Sequence, residues 1–374
     1  MQKTEPMVVP RWWQSIFCAV ILATLACQPA RSQHQHSASE FDVFLSAQGV
    51  AGHGQPHPRE EDDAWFTADV VFGLTRDRFR VFGEYFITSQ EHDLERFQVG
   101  YEVVPDTVVW LGRFHQPASA WDTEHHHGRY LQTAITRPSI ENWEDEDGLV
   151  PQHITGALVE SSWPIRANAG IQFAAGAGVG PALNSDDNEP FSLVGSNPGR
   201  NGSAYMARLG FMPDYAGTSS AGLLFGHDQL FASRQVAAST LQSNHVILTI
   251  YGAYANWTLD EWRIIGTGYH VGVGLDHPTP DESFSSAYLQ LERRLPHQLT
   301  AFTRVEDSPG MHRSRYVNQI YGHSTDIDIA IRRQTGGLRW DYASSQALTI
   351  EFGHEIALAK SGNEVRLQWS AVVP

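Results

Sequence analysis

Cysteine is almost absent from this 374-residue chain. Its two cysteines, Cys18 and Cys27, both lie close to the N-terminus. Cys18 is inside an apolar run that would be removed with a signal peptide, so at most one cysteine remains in the mature chain. That excludes an internal disulfide and a thiolate metal site. Cys27 follows Ala26 in a pattern that is weakly similar to a lipoprotein acylation site.

Positive charge is also scarce. Lys and Arg total 26 against 42 Asp and Glu, for a formal net charge of −16. Phosphate binding needs clustered positive charge, and no basic tract occurs, so we expect no nucleic-acid partner. The G-x-S-x-G, H-E-x-x-H and P-loop signatures are missing as well. We therefore predict that the protein is not an enzyme.

Long apolar runs are limited to residues 15–26, SIFCAVILATLA. This run has the length of a signal-peptide core and is too short to cross a bilayer as a helix. After residue 30 no apolar run reaches about 18 residues, so we predict no transmembrane helix. The sequence predicts a cleaved signal peptide over 1–30, a disordered polar segment over 31–40 and one exported domain over 41–374.

From residue 41 onward the dominant pattern is alternation of apolar and polar residues. In residues 96–103 one face is apolar and the other carries charge: Phe97, Val99, Tyr101 and Val103 alternate with Arg96, Gln98, Gly100 and Glu102. Residues 364–369 repeat the pattern. An apolar face towards lipid and a charged face towards water are typical of a transmembrane β-barrel. The strands of a soluble, secreted β-sandwich that binds a ligand also alternate in polarity, so this pattern alone does not distinguish the two folds.

The connections between the alternating stretches favour the barrel. Every second connection is a short turn containing Pro, Asp, Asn or Ser, and the others are mostly long, as in outer-membrane barrels. The fold class is therefore all-β, a transmembrane antiparallel barrel of about 16 strands with a long third extracellular loop. The predicted strands are 41–49, 64–74, 78–88, 94–104, 107–115, 153–162, 167–178, 203–212, 219–228, 243–255, 260–272, 284–293, 298–306, 327–341, 346–358 and 362–371.

The third loop, residues 116–152, is the candidate functional segment. A barrel of this size leaves an aqueous lumen, and opposed charges in a constriction select ions. We expect this loop to form the constriction, while the inner wall carries Arg80, Arg96, Arg332 and Arg366. Acidic loop residues can also be simple solvated surface. The predicted constriction residues are Arg113, Asp122, Glu124, Arg129, Arg137, Glu144, Asp145, Glu146 and Asp147.

A histidine cluster, His125, His126 and His127, lies in the same loop, with His115 before it. Neutral imidazoles bind zinc, copper or nickel, so the cluster could hold a divalent transition metal. Adjacent residues of an extended chain face opposite sides, so further ligands would be needed. The alternative is that these imidazoles only form hydrogen bonds within a packed loop and that the protein needs no cofactor.

The run GRFHQPASAWDTEHHHGRYLQTAITRP, followed by WEDEDGLVPQH, resembles a group of proteobacterial porin-like outer-membrane proteins. The departure is Ala118-Ser119-Ala120, where that group has an aromatic residue and a glycine. The resemblance implies an outer-membrane location and a barrel, but no defined substrate. The matching positions are Gly112, Arg113, Pro117, Trp121, Asp122, Thr123, His126, His127, Gly128, Arg137, Pro138, Asp147, Gly148, Pro151 and His153.

Together these patterns predict an outer-membrane channel for passive passage of small hydrophilic solutes or ions. Its partners would be outer-membrane lipid, lipopolysaccharide and the solutes, and a homo-oligomer is left open. The alternative function is a metal-binding or adhesive surface protein on a barrel scaffold.

Overall fold

The computed structural model describes residues 37–53, 64–88, 92–125, 129–141, 151–166, 168–183, 191–192, 200–232, 243–276, 278–321, 330–357 and 361–374. The predicted signal peptide therefore lies outside the described residues. The first strand begins at Ser37, before the predicted domain boundary at residue 41.

Sixteen strands form one sheet that closes into a barrel. Each strand pairs antiparallel with its neighbour, and the first strand, β1 (Ser37–His53), pairs with the last, β18 (Ser361–Val373), to close the ring, for example Leu45 with Ala371. A single closed sheet confirms the predicted barrel and excludes the β-sandwich. The barrel strands are β1 (Ser37–His53), β2 (Ala64–Arg76), β3 (Phe79–Thr88), β4 (His92–Val104), β5 (Thr107–His115), β6 (His153–Arg166), β7 (Ala169–Val179), β10 (Ser203–Met212), β11 (Ser220–Phe231), β12 (His245–Leu259), β13 (Trp262–Leu275), β14 (Glu282–Leu295), β15 (Leu299–Asp307), β16 (Ala330–Ala343), β17 (Gln346–Ala357) and β18 (Ser361–Val373).

The remaining elements are short and lie in the connections. Strands β8 (Ala182–Leu183) and β9 (Phe191–Ser192) pair with each other outside the barrel sheet. The helices are α1 (Ala120–His125) and α2 (Arg315–Tyr321), with 3-10 turns at Arg129–Leu131, Ser139–Glu141 and Met311–Arg313. In the described part of the chain, neither helix has the length and apolar character needed to span a membrane.

Tight turns at one end of the barrel explain the short connections. Asp77, Asp106 and Asp260 adopt positive φ angles of 56°, 60° and 51°. Aspartate tolerates this left-handed region better than most residues because its short side chain can hydrogen-bond to the local backbone. The alternating connections at the other end include the longest one, residues 116–152 between β5 and β6.

The two faces of the sheet have the predicted character. Leu223 is 65% exposed and Leu289 is 52% exposed on the outer face. Residues on the opposite face of the same sheet, such as Gln290 and Arg304, are fully buried. A soluble protein rarely exposes so continuous an apolar surface, so the outer face is suited to lipid.

One predicted inner-wall residue faces outward instead. The Arg332 side chain is 59% exposed and pairs with the exposed Asp307 at 3.0 Å. The register of β16 shifts between Ala330 and Arg332, which is a β-bulge at Ile331. The extra residue reverses the faces, so Arg333 is buried in place of Arg332.

A charge placed on the outer face should lower the unfolding free energy strongly in the middle of a strand and only slightly at a strand end. Leu289→Arg, in the middle of β14, should lower the unfolding free energy in lipid vesicles by about 2–4 kcal/mol, and Leu259→Arg, at the end of β12, by at most about 1 kcal/mol. Urea titration of the refolded barrels measures both. Equal losses for the two leucines would contradict a membrane-embedded outer face.

Candidate functional site

The connection between β5 and β6, residues 116–152 and hereafter the β5–β6 segment, contacts the inner wall of the barrel. Its described residues form hydrogen bonds to side chains of β10, β12, β15, β16 and β17. Those wall residues share the face that is opposite to the exposed apolar side chains. The described part of the segment therefore lies against the lumen side of the sheet.

Arg304, on β15, is the most connected anchor of the segment. Its Nη1 donates to the Thr136 carbonyl at 2.8 Å, and its Nη2 donates to Thr136 Oγ1 at 2.7 Å and to the Arg137 carbonyl at 3.1 Å. Its Nε donates to Glu306 at 2.8 Å. A guanidinium can do this because its five N–H donors point in fixed directions. One buried cation thus satisfies several loop acceptors and one carboxylate.

Wall carboxylates bind the backbone N–H groups of the same stretch. Glu351 accepts from the Ile135 backbone at 2.9 Å and from Thr136 Oγ1 at 2.6 Å. Glu306 accepts from the Ser139 backbone at 2.6 Å. Buried backbone groups that lack helix or sheet partners must be satisfied in this way. The charges of the wall therefore fix residues 132–139 in place.

Two further guanidinium groups contribute to the same attachment. Arg333 Nη1 donates to the Arg137 carbonyl at 3.0 Å, and its Nε donates to Glu355 at 2.6 Å. Arg339 Nη1 donates to the Gln132 carbonyl. Arginine suits such sites because it stays charged and forms several directed hydrogen bonds.

A second attachment involves α1. Arg208 Nη1 donates to Thr123 Oγ1 at 2.6 Å, and Asn256 Nδ2 donates to Glu124 Oε2 at 2.6 Å. Arg263 Nε donates to Asn256 Oδ1 at 2.9 Å and lies 4.0 Å from Glu124. These residues, called the α1 network below, combine one carboxylate with two guanidinium groups. Opposed charges here resemble the arrangement predicted for a constriction.

The charge state of Glu124 reflects opposing influences. Desolvation raises its pKa above the usual value, whereas Arg208, Asn256 and Arg263 lower it. Water still reaches 32% of the side chain, which limits desolvation. The neighbouring donors favour the anionic form and so oppose the effect of desolvation, which is the larger of the two.

An apolar core fills the sector of the lumen next to β11–β14. Trp121 of α1 and Ile140 pack with inward-facing residues such as Val246 and Leu248, and with Val317 of α2. Glu141 lies at the edge of this core, where Tyr269 Oη donates to it at 2.6 Å and Ser119 Oγ at 2.7 Å. The segment is therefore held by apolar packing on one side and by hydrogen bonds from charged wall side chains on the other.

His125 belongs to the apolar side. Its ring stacks on Trp121 with centroids 4.8 Å apart and planes at 21°. Burial lowers the pKa of His125 to about 3, and Arg263 acts in the same direction. The imidazole is therefore neutral throughout the physiological range.

The predicted constriction residues have different environments. Arg113 lies 3.4 Å from Asp93, and Arg129 Nη1 donates to the Ile135 carbonyl at 3.3 Å. Arg137 is buried, and its carbonyl accepts from Arg304. Outside the described residues lie Glu144, Asp145, Glu146 and Asp147, together with the side chain of Asp122, so their role stays a prediction.

The structure groups His115 with residues other than its predicted metal-binding partners. His115 lies next to Glu95 and His153, and one ligand atom from each can be chosen so that all three lie within 4.8 Å of one another. This buried Glu-His-His triad could hold a metal ion. His125 is not part of the triad, and His126 and His127 lie outside the described residues.

The sequence reasoning missed the residues that attach the segment. Arg208, Arg263, Arg304 and Arg333 all lie at inward positions of alternating strands, so strict use of the alternation would have identified three of them. Arg333 required knowledge of the β-bulge. Their partners in the segment could not be found, because alternation carries no information on contacts between distant residues.

Comparison with known proteins identifies similar solved structures only. Neither a protein-family model nor a curated protein sequence matches the chain. OmpT of Vibrio cholerae, an outer-membrane protein, has a TM-score of 0.56 at 10% identity, covering 91% of this chain and 99% of that one. Another OmpT structure is described as a trimer form.

Two other similar structures are the OmpF complex with daunomycin from Salmonella typhi and the outer-membrane channel DcaP of Acinetobacter baumannii. OmpF has a TM-score of 0.56 at 8% identity, covering 90% of this chain and 97% of that one. DcaP has a TM-score of 0.52 at 10% identity, covering 90% and 98%. Identities this low show the shared outer-membrane barrel fold alone.

Loss of the Arg304 anchor should destabilise the barrel strongly. Arg304→Met leaves Glu306 buried without its closest cation, so the unfolding free energy should fall by about 3–5 kcal/mol. Arg332→Met is the matched control, because it breaks an exposed pair and should cost at most about 1 kcal/mol. Urea unfolding in detergent measures both. Similar losses would show that Arg304 is not an anchor.

His125 should make stability depend on pH. Between pH 6.5 and about 3 the unfolded chain takes up a proton that the folded His125 does not, so stability falls as the pH falls through this window. His125→Phe keeps the stacking ring and should remove roughly 2–4 kcal/mol of that decline. Unfolding curves of both proteins at several pH values measure the difference. Parallel pH profiles would contradict a buried neutral imidazole.

Proposed function

We propose that the protein is a passive channel for small hydrophilic solutes or ions in the outer membrane of a Gram-negative bacterium. The observation that carries the proposal is a closed barrel with an apolar outer face and with the charged α1 network on its lumen side. A barrel of sixteen strands is wide enough for an aqueous lumen. The similar structures include one described as an outer-membrane channel, which supports this class.

The β5–β6 segment forms the constriction in this proposal. Its hydrogen bonds to Arg304 of β15 and Glu351 of β17 support this role, because they hold the chain against the lumen side of the wall. Its apolar core with Val246 and Leu248 closes the β11–β14 sector. Solutes would therefore pass along the polar remainder of the lumen, where Glu124, Arg208 and Arg263 present charge.

Selectivity would arise from the balance of the α1 network. A carboxylate attracts cations and a guanidinium attracts anions, and a narrow passage with low-dielectric walls strengthens both effects. The predicted acidic run, residues 144–147, would add to the cation preference if it lines the same passage. Lipopolysaccharide and lipid are the expected partners of the outer face. The trimer form of OmpT supports a homo-oligomer.

Charge neutralisation in the α1 network should shift ion selectivity in opposite directions. In planar bilayers under a salt gradient, Glu124→Gln should shift the reversal potential towards anions and Arg208→Gln towards cations, each by about a twofold change in permeability ratio. Glutamine keeps hydrogen-bonding capacity at both positions, so the pair isolates charge. Unchanged potentials in both variants would place the network outside the pathway.

Chemical modification tests the constriction directly. Glu124→Cys, made in a Cys27→Ala background, should lose most of its single-channel conductance when a bulky thiol reagent is added, because the side chain occupies the passage. Arg332→Cys is the control, since its side chain faces outward and its modification should leave the conductance unchanged. A barrel that inserts but never conducts, with or without modification, would overturn the channel function.

A further inference from the structure

We propose that Glu95, His115 and His153 bind one divalent transition-metal ion of the zinc class, which fastens both ends of the β5–β6 segment to β4. His115 is the last residue of β5 and His153 is the first residue of β6. Glu95 belongs to the neighbouring strand β4. This site goes beyond channel function and does not depend on it.

The distances are close to those of a metal site. Glu95 Oε2 and His153 Nε2 are 3.3 Å apart. Two ligands that bind zinc at tetrahedral angles lie about 3.4 Å apart, since each bond is about 2.0–2.1 Å. One ligand atom from each of the three residues lies within 4.8 Å of the other two, so the three donors face a common point.

Strand pairing presents the two imidazoles together. His115 and His153 are directly paired in the β5–β6 ladder, and their ring centroids are 4.8 Å apart at 61°. The residues are only 3% and 2% exposed, and Glu95 is 5% exposed. Buried polar groups of this kind are normally paired or bind a metal ion. Two imidazoles and one carboxylate are a ligand set that suits zinc and leaves one coordination position open.

A β-bulge brings Glu95 to this position. Glu84 pairs with Arg96 and Tyr85 pairs with Leu94, so Glu95 is the extra residue of β4. Regular alternation would place Glu95 on the face of Phe97, which is 45% exposed, but Glu95 is buried. Bulges redirect side chains, and this bulge turns the Glu95 carboxylate towards the two histidines.

The surrounding charge favours a cation. Asp69 interacts electrostatically with Glu84 and Glu95, and Arg96 is the guanidinium in this group. Arg96 forms its ion pair with Glu84. Glu84 and Glu95 beside the single guanidinium of Arg96 leave negative charge that a divalent ion would balance.

The competing explanation is an ion pair without metal, in which Glu95 binds a protonated His153. It predicts no metal uptake, whereas our proposal predicts one equivalent. The experiment uses the refolded full-length mature barrel in detergent, stripped with EDTA and then titrated with Co²⁺. We expect the intense visible absorption of four-coordinate Co²⁺ to saturate at one ion per chain and to be abolished by Zn²⁺. An absent spectrum would overturn the proposal.

Variants locate the site. Glu95→Gln, His115→Gln and His153→Gln should each weaken Co²⁺ binding at least about 100-fold, because even the loss of an outer hydrogen-bond partner costs 10–100-fold. The matched control is His270→Gln, whose exposed ring contacts Ser285 on the opposite part of the barrel. Binding that survives in the triad variants, or that is lost only when His125, His126 and His127 are replaced together, would overturn the assignment.

X-ray absorption of the zinc-loaded wild-type protein covers the case in which a triad variant fails to fold. Two imidazoles with oxygen ligands would support the site. One imidazole, or more than two, would contradict it.

Discussion

A closed antiparallel sheet gives every side chain only two directions, outward or into the lumen, and the rest of this structure depends on that constraint. Outward positions such as Leu223 and Leu289 are apolar, so charge concentrates on the inner face. Inner charges that water cannot reach must find partners inside the barrel. The backbone of the β5–β6 segment supplies them, because Arg304, Glu306 and Glu351 all bind its peptide groups.

The same constraint divides the lumen into sectors with different roles. The wall next to β11–β14 is apolar, and burying Trp121 and Ile140 against it contributes roughly 1.5–3 kcal/mol for each side chain. Apolar packing has little directionality, whereas the hydrogen bonds of Arg304 and Glu351 specify which loop residues meet the wall. The apolar sector therefore supplies much of the attachment energy, and the charged sector determines its geometry. In the α1 network, Glu124 and Arg263 remain 32% and 24% exposed.

Much of the fold could be predicted from the sequence because the barrel pattern is local. Alternation and turn residues such as Asp77 and Asp106 identified all sixteen strands, and the strand ends differ by a few residues. The site could be predicted only in part. Glu124 was predicted because it lies in the long loop, but its partners Arg208 and Arg263 come from distant strands, and no local pattern links them. The histidines were grouped by their closeness in sequence, whereas strand pairing places His115 beside His153 instead.

The failures of the alternation are as informative as its successes. A β-bulge adds one residue and reverses the faces beyond it, so Arg332 faces outward and Arg333 binds the β5–β6 segment. A second bulge buries Glu95 beside two histidines. A bulge interrupts the hydrogen bonding of the sheet and is therefore retained where it positions a side chain that regular pairing would misplace. These two bulges therefore act on residues that contact the β5–β6 segment or form its two ends.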